Sequence, residues 1–134
     1  MCILVVKNDK DGKPLRAKSR IVVLGNSEDR LYQKFQRYAP VLKYRSLRLL
    51  TDKAVGDKRI LQQGDCKNAF CNATLPDNEV TVTRPQIGDP AFREDECWLL
   101  NKTLYGLRRS PHHWYNMIKG ILLNIGINTP PYEP

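Results

Sequence analysis

The sequence predicts an α+β domain, and three observations predict it. Two β-rich runs, Ile3-Leu4-Val5-Val6-Lys7 and Arg20-Ile21-Val22-Val23-Leu24, flank a stretch from Asn8 to Pro14 that contains Asp11-Gly12, the composition of a hairpin turn. Trp114, Ile118, Ile121, Leu122 and Ile125 recur at helical spacing. Between these regions Val80 and Val82 alternate with threonines, and Cys97-Trp98-Leu99-Leu100 forms a second short β-rich run.

In chain order, the hairpin comes first. Gly25-Asn26-Ser27-Glu28-Asp29 then breaks to a loop carrying Tyr32, Phe35 and Tyr38. Ser46 is placed to cap a helix over 47–56 with Leu47, Leu50 and Ala54 on one face. Ile60-Leu61-Gln62-Gln63-Gly64-Asp65 reads as a strand that delivers Asp65 at its end. Ser110 followed by Pro111 reads as a cap and first turn, because proline's missing N–H is harmless there. Gly126 can end that helix in a left-handed conformation. The tail from Asn128 to Pro134 has no secondary-structure signal.

A chain of 134 residues, 41% of them hydrophobic, fits one domain or a piece of one. It can form a core without disulfides or metal. No run approaches the ~20 apolar residues that span a membrane, and the first residues lack the basic leader and cleavage site of a secretory signal. An intracellular protein, cytoplasmic or nuclear, with no membrane partner is the expectation. Cys2, Cys66, Cys71 and Cys97 form no Cys-x-x-Cys pair, so reduced, partly buried thiols are expected rather than a zinc site. His112 and His113 point in different directions on a helix and read as exposed or half-packed.

The net charge of +8 is unevenly spread. Residues 1–50 hold twelve Lys/Arg against four Asp/Glu, residues 51–100 six against nine, and residues 101–134 four against one. Basic ends around an acidic middle suit a polyanion held about a carboxylate-bearing centre, and a solubilising surface fits the charge alone equally well.

Three ordered segments carry more. The first is Lys18-Ser19-Arg20-Ile21-Val22-Val23-Leu24-Gly25, with Tyr38-Ala39-Pro40-Val41 and Ser46-Leu47-Arg48-Leu49-Leu50 behind it. The second runs Leu61-Gln62-Gln63-Gly64-Asp65-Cys66-Lys67-Asn68-Ala69-Phe70-Cys71-Asn72. The third runs Leu104-Tyr105-Gly106-Leu107-Arg108-Arg109-Ser110-Pro111-His112-His113-Trp114-Tyr115. In this order and spacing they resemble the copia-type retrotransposon reverse transcriptase family, RNA-directed DNA polymerases, over nearly the whole chain. The resemblance implies a fingers-like part over 1–58, built on the hairpin, and the start of a palm with its adjoining helix over 59–134.

The same resemblance implies roles. Polymerases of this kind hold two divalent cations between carboxylates, one activating the primer 3′-hydroxyl and one bracing the triphosphate. Asp65 would be the first catalytic aspartate and Mg2+ ligand, with the Cys66 backbone carbonyl as a second oxygen donor. Read without its neighbours, Asp65 is a turn cap. Phe70 would lie under the sugar and exclude a 2′-hydroxyl, or else be a plain core aromatic. Backbone N–H groups of Asn68 and Ala69 would meet triphosphate oxygens. Lys18 and Arg20, two apart on one strand face, would bind the triphosphate, or simply be solvated. Gly106 would let backbone approach the template–nucleotide pair, and Arg108 and Arg109 suit nucleic-acid backbone or a solvated loop equally. Trp114 and Tyr115, at helical spacing with Ile118, read as core before stacking platforms. The implied partners are an RNA template, a DNA primer and a deoxynucleoside triphosphate, and the implied location in an intact element is its particle.

Two departures matter. The family has a basic residue before the glycine where this chain has Leu24, and no adjacent Asp-Asp pair occurs in the sequence. The expectation is a chain cut before the Asp-Asp hairpin, with one of three catalytic carboxylates, inactive alone and prone to self-association through an incomplete palm. Asp89, Glu94, Asp95 and Glu96 read as an exposed loop. A non-catalytic nucleic-acid-binding remnant and an unrelated small basic α+β domain that binds RNA or protein are the other two readings.

Overall fold

The computed structural model describes residues 1–28, 31–85, 87–90 and 92–128. Its architecture is mixed, with two small antiparallel sheets and separate helices. Strands β1 (Cys2–Asn8) and β2 (Pro14–Ile21) form the expected hairpin. Asp9 organises its turn by accepting the N–H groups of Asp11 and Lys13 at 2.9 Å each, and Gly12 adopts φ +80°. β2 starts at Pro14 and ends at Ile21. Val22 adds one more pair to the ladder by exchanging hydrogen bonds with Met1, and the rest of the run expected over 20–24 leaves the hairpin at Val23.

Directly opposed residues share a face. Lys7 with Arg16, Val5 with Lys18 and Ile3 with Arg20 therefore make a basic face. Cys2, Leu4 and Val6 lie on the other face with Ala17, Ser19 and Ile21. That second face is uncovered: Leu4 is 76% exposed and Val6 61%.

Helix α1 (Lys34–Arg37) is one turn, closed by a reciprocal bond pair between Gln33 and Gln36. Helix α2 (Tyr44–Gly56) begins three residues earlier than expected. Ser46 lies inside it, and Lys43 at the cap position offers no side-chain bond. Lys58 takes φ 53°, and the N–H groups of Lys58 and Arg59 return to the carbonyls of Val55 and Ala54, which closes the helix in a Schellman arrangement. Ala54 is buried, but Leu47 and Leu50 are exposed, and among the described elements α2 packs against none.

The strand expected at Ile60–Asp65 does not form. Residues 59–66 run without regular structure, with Ile60 89% exposed. A strand needs a ladder, and among the described strands none pairs with this segment. A short 3₁₀ turn follows at Ala69–Asn72, entered through Asn68 at φ 52°. Strands β3 (Val82–Thr83) and β4 (Trp98–Leu99) then pair antiparallel. Helix α3 (Ser110–Asn124) starts at Ser110 itself, one residue earlier than a Ser110 cap requires. Its end is as expected: Gly126 at φ 83° and Ile127 return their N–H groups to Leu123 and Leu122. The tail expectation from 129 onward lies outside the described residues.

The buried centre is small and unusually polar. Ala73 and Leu107 are its apolar members, with Thr103, Ser110, Glu79 and His113 beside them. The chain exposes 11577 Å², against roughly 7,200 Å² for a compact monomer of 15.5 kDa. Most apolar side chains of the hairpin and α2 are therefore left outside the centre. No helix among the described residues is long and apolar enough to cross a membrane.

Candidate functional site

The segment 103–110 is where distant parts of the chain meet. Thr103, 1% exposed, donates its hydroxyl to the Phe70 carbonyl and its N–H to the Ala73 carbonyl. The Tyr105 carbonyl accepts the Val23 N–H at 2.8 Å, and Val22 bridges Tyr105 in parallel. Gly106, at φ +92°, lies so close to Val23 that a Cβ would collide with its carbonyl oxygen. A Cβ on Gly25 would collide with the Gly106 carbonyl in turn. Ser110 donates its hydroxyl to the Leu104 carbonyl at 2.5 Å. The start of α3 thus grips the loop before it.

This crossing brings several candidate residues together. The Phe70 and Tyr105 rings meet edge to face at 5.4 Å, and the Arg20 guanidinium sits 5.5 Å from the Tyr105 centroid. Lys18 follows two residues along the same strand face. The charge of Arg20 chiefly lowers the Lys18 ammonium below its ordinary 10.5, with smaller contributions from burial, Lys7 and Arg16, while Asp65 pulls it back up. Asp65 therefore lies within electrostatic reach of the basic face. A row of mutually repelling cations beside an aromatic pair is suited to accept an anion with a flat ring attached.

The remaining candidates are exposed or bonded within the chain. Asp65 and Cys66 are exposed, and no group of three or more His, Cys, Asp or Glu side chains capable of holding a metal occurs among the described residues. Ala69 lies in the 3₁₀ turn beside Phe70, and Asn68 gives its carbonyl to the Cys71 N–H. The close approach of Gly106 is to the chain's own Val23. The Arg108 N–H donates to Glu28 at 3.0 Å and its guanidinium to the Asn26 carbonyl at 3.2 Å. Trp114 and Tyr115 are half-buried.

Arg109 is occupied inside the molecule. It pairs with Glu79 at 2.6 Å and lies 5.4 Å from the Tyr32 ring centroid, and its Nε is buried with no acceptor among the described residues. His113 reaches the same Glu79 oxygen at 3.0 Å and is only 8% exposed, which corrects the expectation of an exposed or half-packed histidine. Burial holds its pKa below the usual 6.5. Glu79 pulls the other way, but Arg109 already balances that carboxylate and itself disfavours a second positive charge. Sequence reasoning passed over Glu79. The available signal was Arg109 and His113 four apart at a helix start, a basic pair on one face that requires an acid if buried.

Residues 3–133 match the family described as reverse transcriptase (RNA-dependent DNA polymerase). Over 124 residues the chain is 32% identical to the retrovirus-related Pol polyproteins from transposons RE2 and RE1 of Arabidopsis thaliana, covering 92% of this chain. Over 113 residues, 84% of the chain, it is 31% identical to the corresponding polyprotein from transposon TNT 1-94 of Nicotiana tabacum. The chain spans 8% of the length of these relatives. No solved structure matches it.

Proposed function

Because the chain belongs to the reverse transcriptase family, we propose that it supplies the nucleotide-binding side of an RNA-directed DNA polymerase. The observation that carries this reading is the contact series Arg20–Tyr105–Phe70, with Lys18 alongside and Asp65 within charge reach. In this reading residues 1–58 act as fingers and 59–134 begin a palm. Lys18 and Arg20 hold the triphosphate, with N–H groups of Asn68 and Ala69 on its oxygens. Phe70 lies beneath the deoxyribose, while Gly106, closed against Val23, and Arg108, bonded to Glu28 and Asn26, hold the loop that carries Tyr105. Arg109, engaged by Glu79, drops out of the nucleic-acid contacts. The setting would be an intracellular particle carrying template and primer.

Asp65 and the Cys66 carbonyl are oxygen donors of the type Mg2+ prefers. They amount to part of a site, since the described residues gather no group of three or more His, Cys, Asp or Glu side chains that could hold a metal. No chemical step is therefore derived through the metal. With no Asp-Asp pair in its sequence, this polypeptide alone is expected not to extend a primer.

The test is equilibrium binding of dGTP and GTP to the chain at low salt. Saturable binding that weakens in Arg20→Ala and Lys18→Ala, and loses its preference for dGTP in Phe70→Ala, supports the reading. Binding that is absent, or indifferent to Arg20, overturns it. A second reading, sequence-independent nucleic-acid binding, is favoured by Lys7 and Arg16, which extend the basic face beyond Lys18. Arg16 and Arg20 are four residues apart, about 13 Å along a strand, longer than a triphosphate requires. Salt-dependent retention of single-stranded RNA that is lost in Arg16→Ala while dGTP binding persists would mark it.

A further inference from the structure

The contacts around Arg20, Tyr105 and Phe70 leave one buried cluster without a role. Glu79, 6% exposed, precedes β3 and receives two donors from α3 on a single oxygen, Arg109 at 2.6 Å and His113 at 3.0 Å. Burying a carboxylate is expensive unless it is paired, so this arrangement persists only if all three groups stay together. Arg109 is the residue that leads into α3 and His113 lies on its first turn, four residues on. Glu79 therefore fixes the rotation and position of that turn, not merely its existence.

The first turn holds Leu104 through the Ser110 hydroxyl, and Tyr105 is the next residue. Thr103, on the other side, is bound to the Phe70 carbonyl. The line from Glu79 to the aromatic pair therefore passes only through bonded or hydrogen-bonded neighbours. We infer that Glu79 is a positioning residue: through Arg109 and His113 it sets the angle at which Tyr105 meets Phe70 and presents its face to Arg20. The inference concerns the geometry of the pair, and its value for nucleotide binding rests on the function proposed above.

The arrangement is also proton-sensitive. The groups facing His113 are Glu79 from the segment before β3, and Arg109 and His112 on its own helix. His112 is held separately, its Nδ1 on the Tyr38 carbonyl and its Nε2 accepting from Asn116, each at 3.0 Å. Protonating His113 beside Arg109 adds a second cation to one carboxylate. The α3 turn then shifts, and the ring pair shifts with it.

Fluorine NMR tests this on the whole chain. The sequence has three phenylalanines, so 4-fluorophenylalanine gives three resonances, and Phe70→Leu assigns the one of interest. Glu79→Gln preserves size and removes charge. The Phe70 resonance is expected to move by more than its linewidth, with that of Phe92 unchanged. In the unsubstituted chain the same resonance should titrate with a midpoint below about 6.5. That titration should vanish in His113→Gln and survive in His112→Gln. A Phe70 resonance that ignores both Glu79→Gln and pH overturns the inference. If Glu79→Gln fails to fold, the titration of the unsubstituted chain decides. Binding of dGTP provides the separate arm: where it exists, Glu79→Gln should weaken it, by up to about a hundredfold if the contacts move by about 1 Å. If dGTP binds no form of the chain, the functional proposal fails, while the fluorine result still decides the role of Glu79.

Discussion

Three glycines allow the crossing of Val23 and Gly106 to be measured in separate parts. Gly106 combines φ +92° with a Cβ direction filled by the Val23 carbonyl and by Val22 Cγ1 at 2.8 Å. Gly12 has φ +80° with open space around it, and Gly25 faces the Gly106 carbonyl without a positive φ. In Gly12→Ala only the backbone penalty applies, about 1–2 kcal/mol. In Gly25→Ala only crowding applies, about 1–3 kcal/mol and toward the upper end, because a carbonyl cannot swing aside. Gly106→Ala incurs both, about 2–5 kcal/mol. Urea unfolding followed by circular dichroism would report the differences, with trimethylamine oxide present so that the weaker variants begin folded. Equal losses in Gly12→Ala and Gly106→Ala, within about 0.5 kcal/mol, would refute the close crossing and, with it, the route by which the hairpin reaches Tyr105.

Two further outcomes follow from the buried centre. Because the folded-state pKa of His113 lies below 6.5, the unfolded chain binds the proton more readily. The contribution of His113 to stability is therefore full above about 6.5 and is lost as pH falls through the folded value; Tm from pH 8 to pH 5 should decline, less so in His113→Gln, and a rise would contradict the assignment. Thr103→Val keeps shape but deprives the Phe70 carbonyl of its donor, and should lower stability by about 1–2 kcal/mol in the same urea assay; no change would mean that another donor replaces the hydroxyl.

What could be read from the sequence was local. The hairpin was legible because its turn residues and β-rich arms are consecutive, and the end of α3 because Gly126 is the residue a left-handed cap prefers. The start of α3 was misread by one position, since the Ser110 hydroxyl goes to Leu104 rather than back to its own helix. Ser46 was misread as a cap for a similar reason: capping residues also occur within a first turn. The Ile60–Asp65 run has strand composition, but strand formation depends on a neighbour, which composition cannot supply. Arg20 and Phe70 were named as candidates, while Tyr105, which joins them, appeared only as a neighbour of Gly106. Glu79 lies 30 residues from Arg109 and 34 from His113, so no spacing rule connects them.

The long reach of segment 103–110 also orders events in time. Glu28 waits for Arg108, 80 residues later. At synthesis rates of about 5–20 residues per second, that interval is about 4–16 s. A hairpin closes in about 1–10 μs, so β1 and β2 can pair almost at once. They must then remain beside the ribosome without that anchorage, and Leu4 and Val6 face water both before and after it is made. Contacts this distant in sequence also slow the final docking itself. A nascent chain of this kind gives chaperones a long interval in which to bind the hairpin before it is anchored.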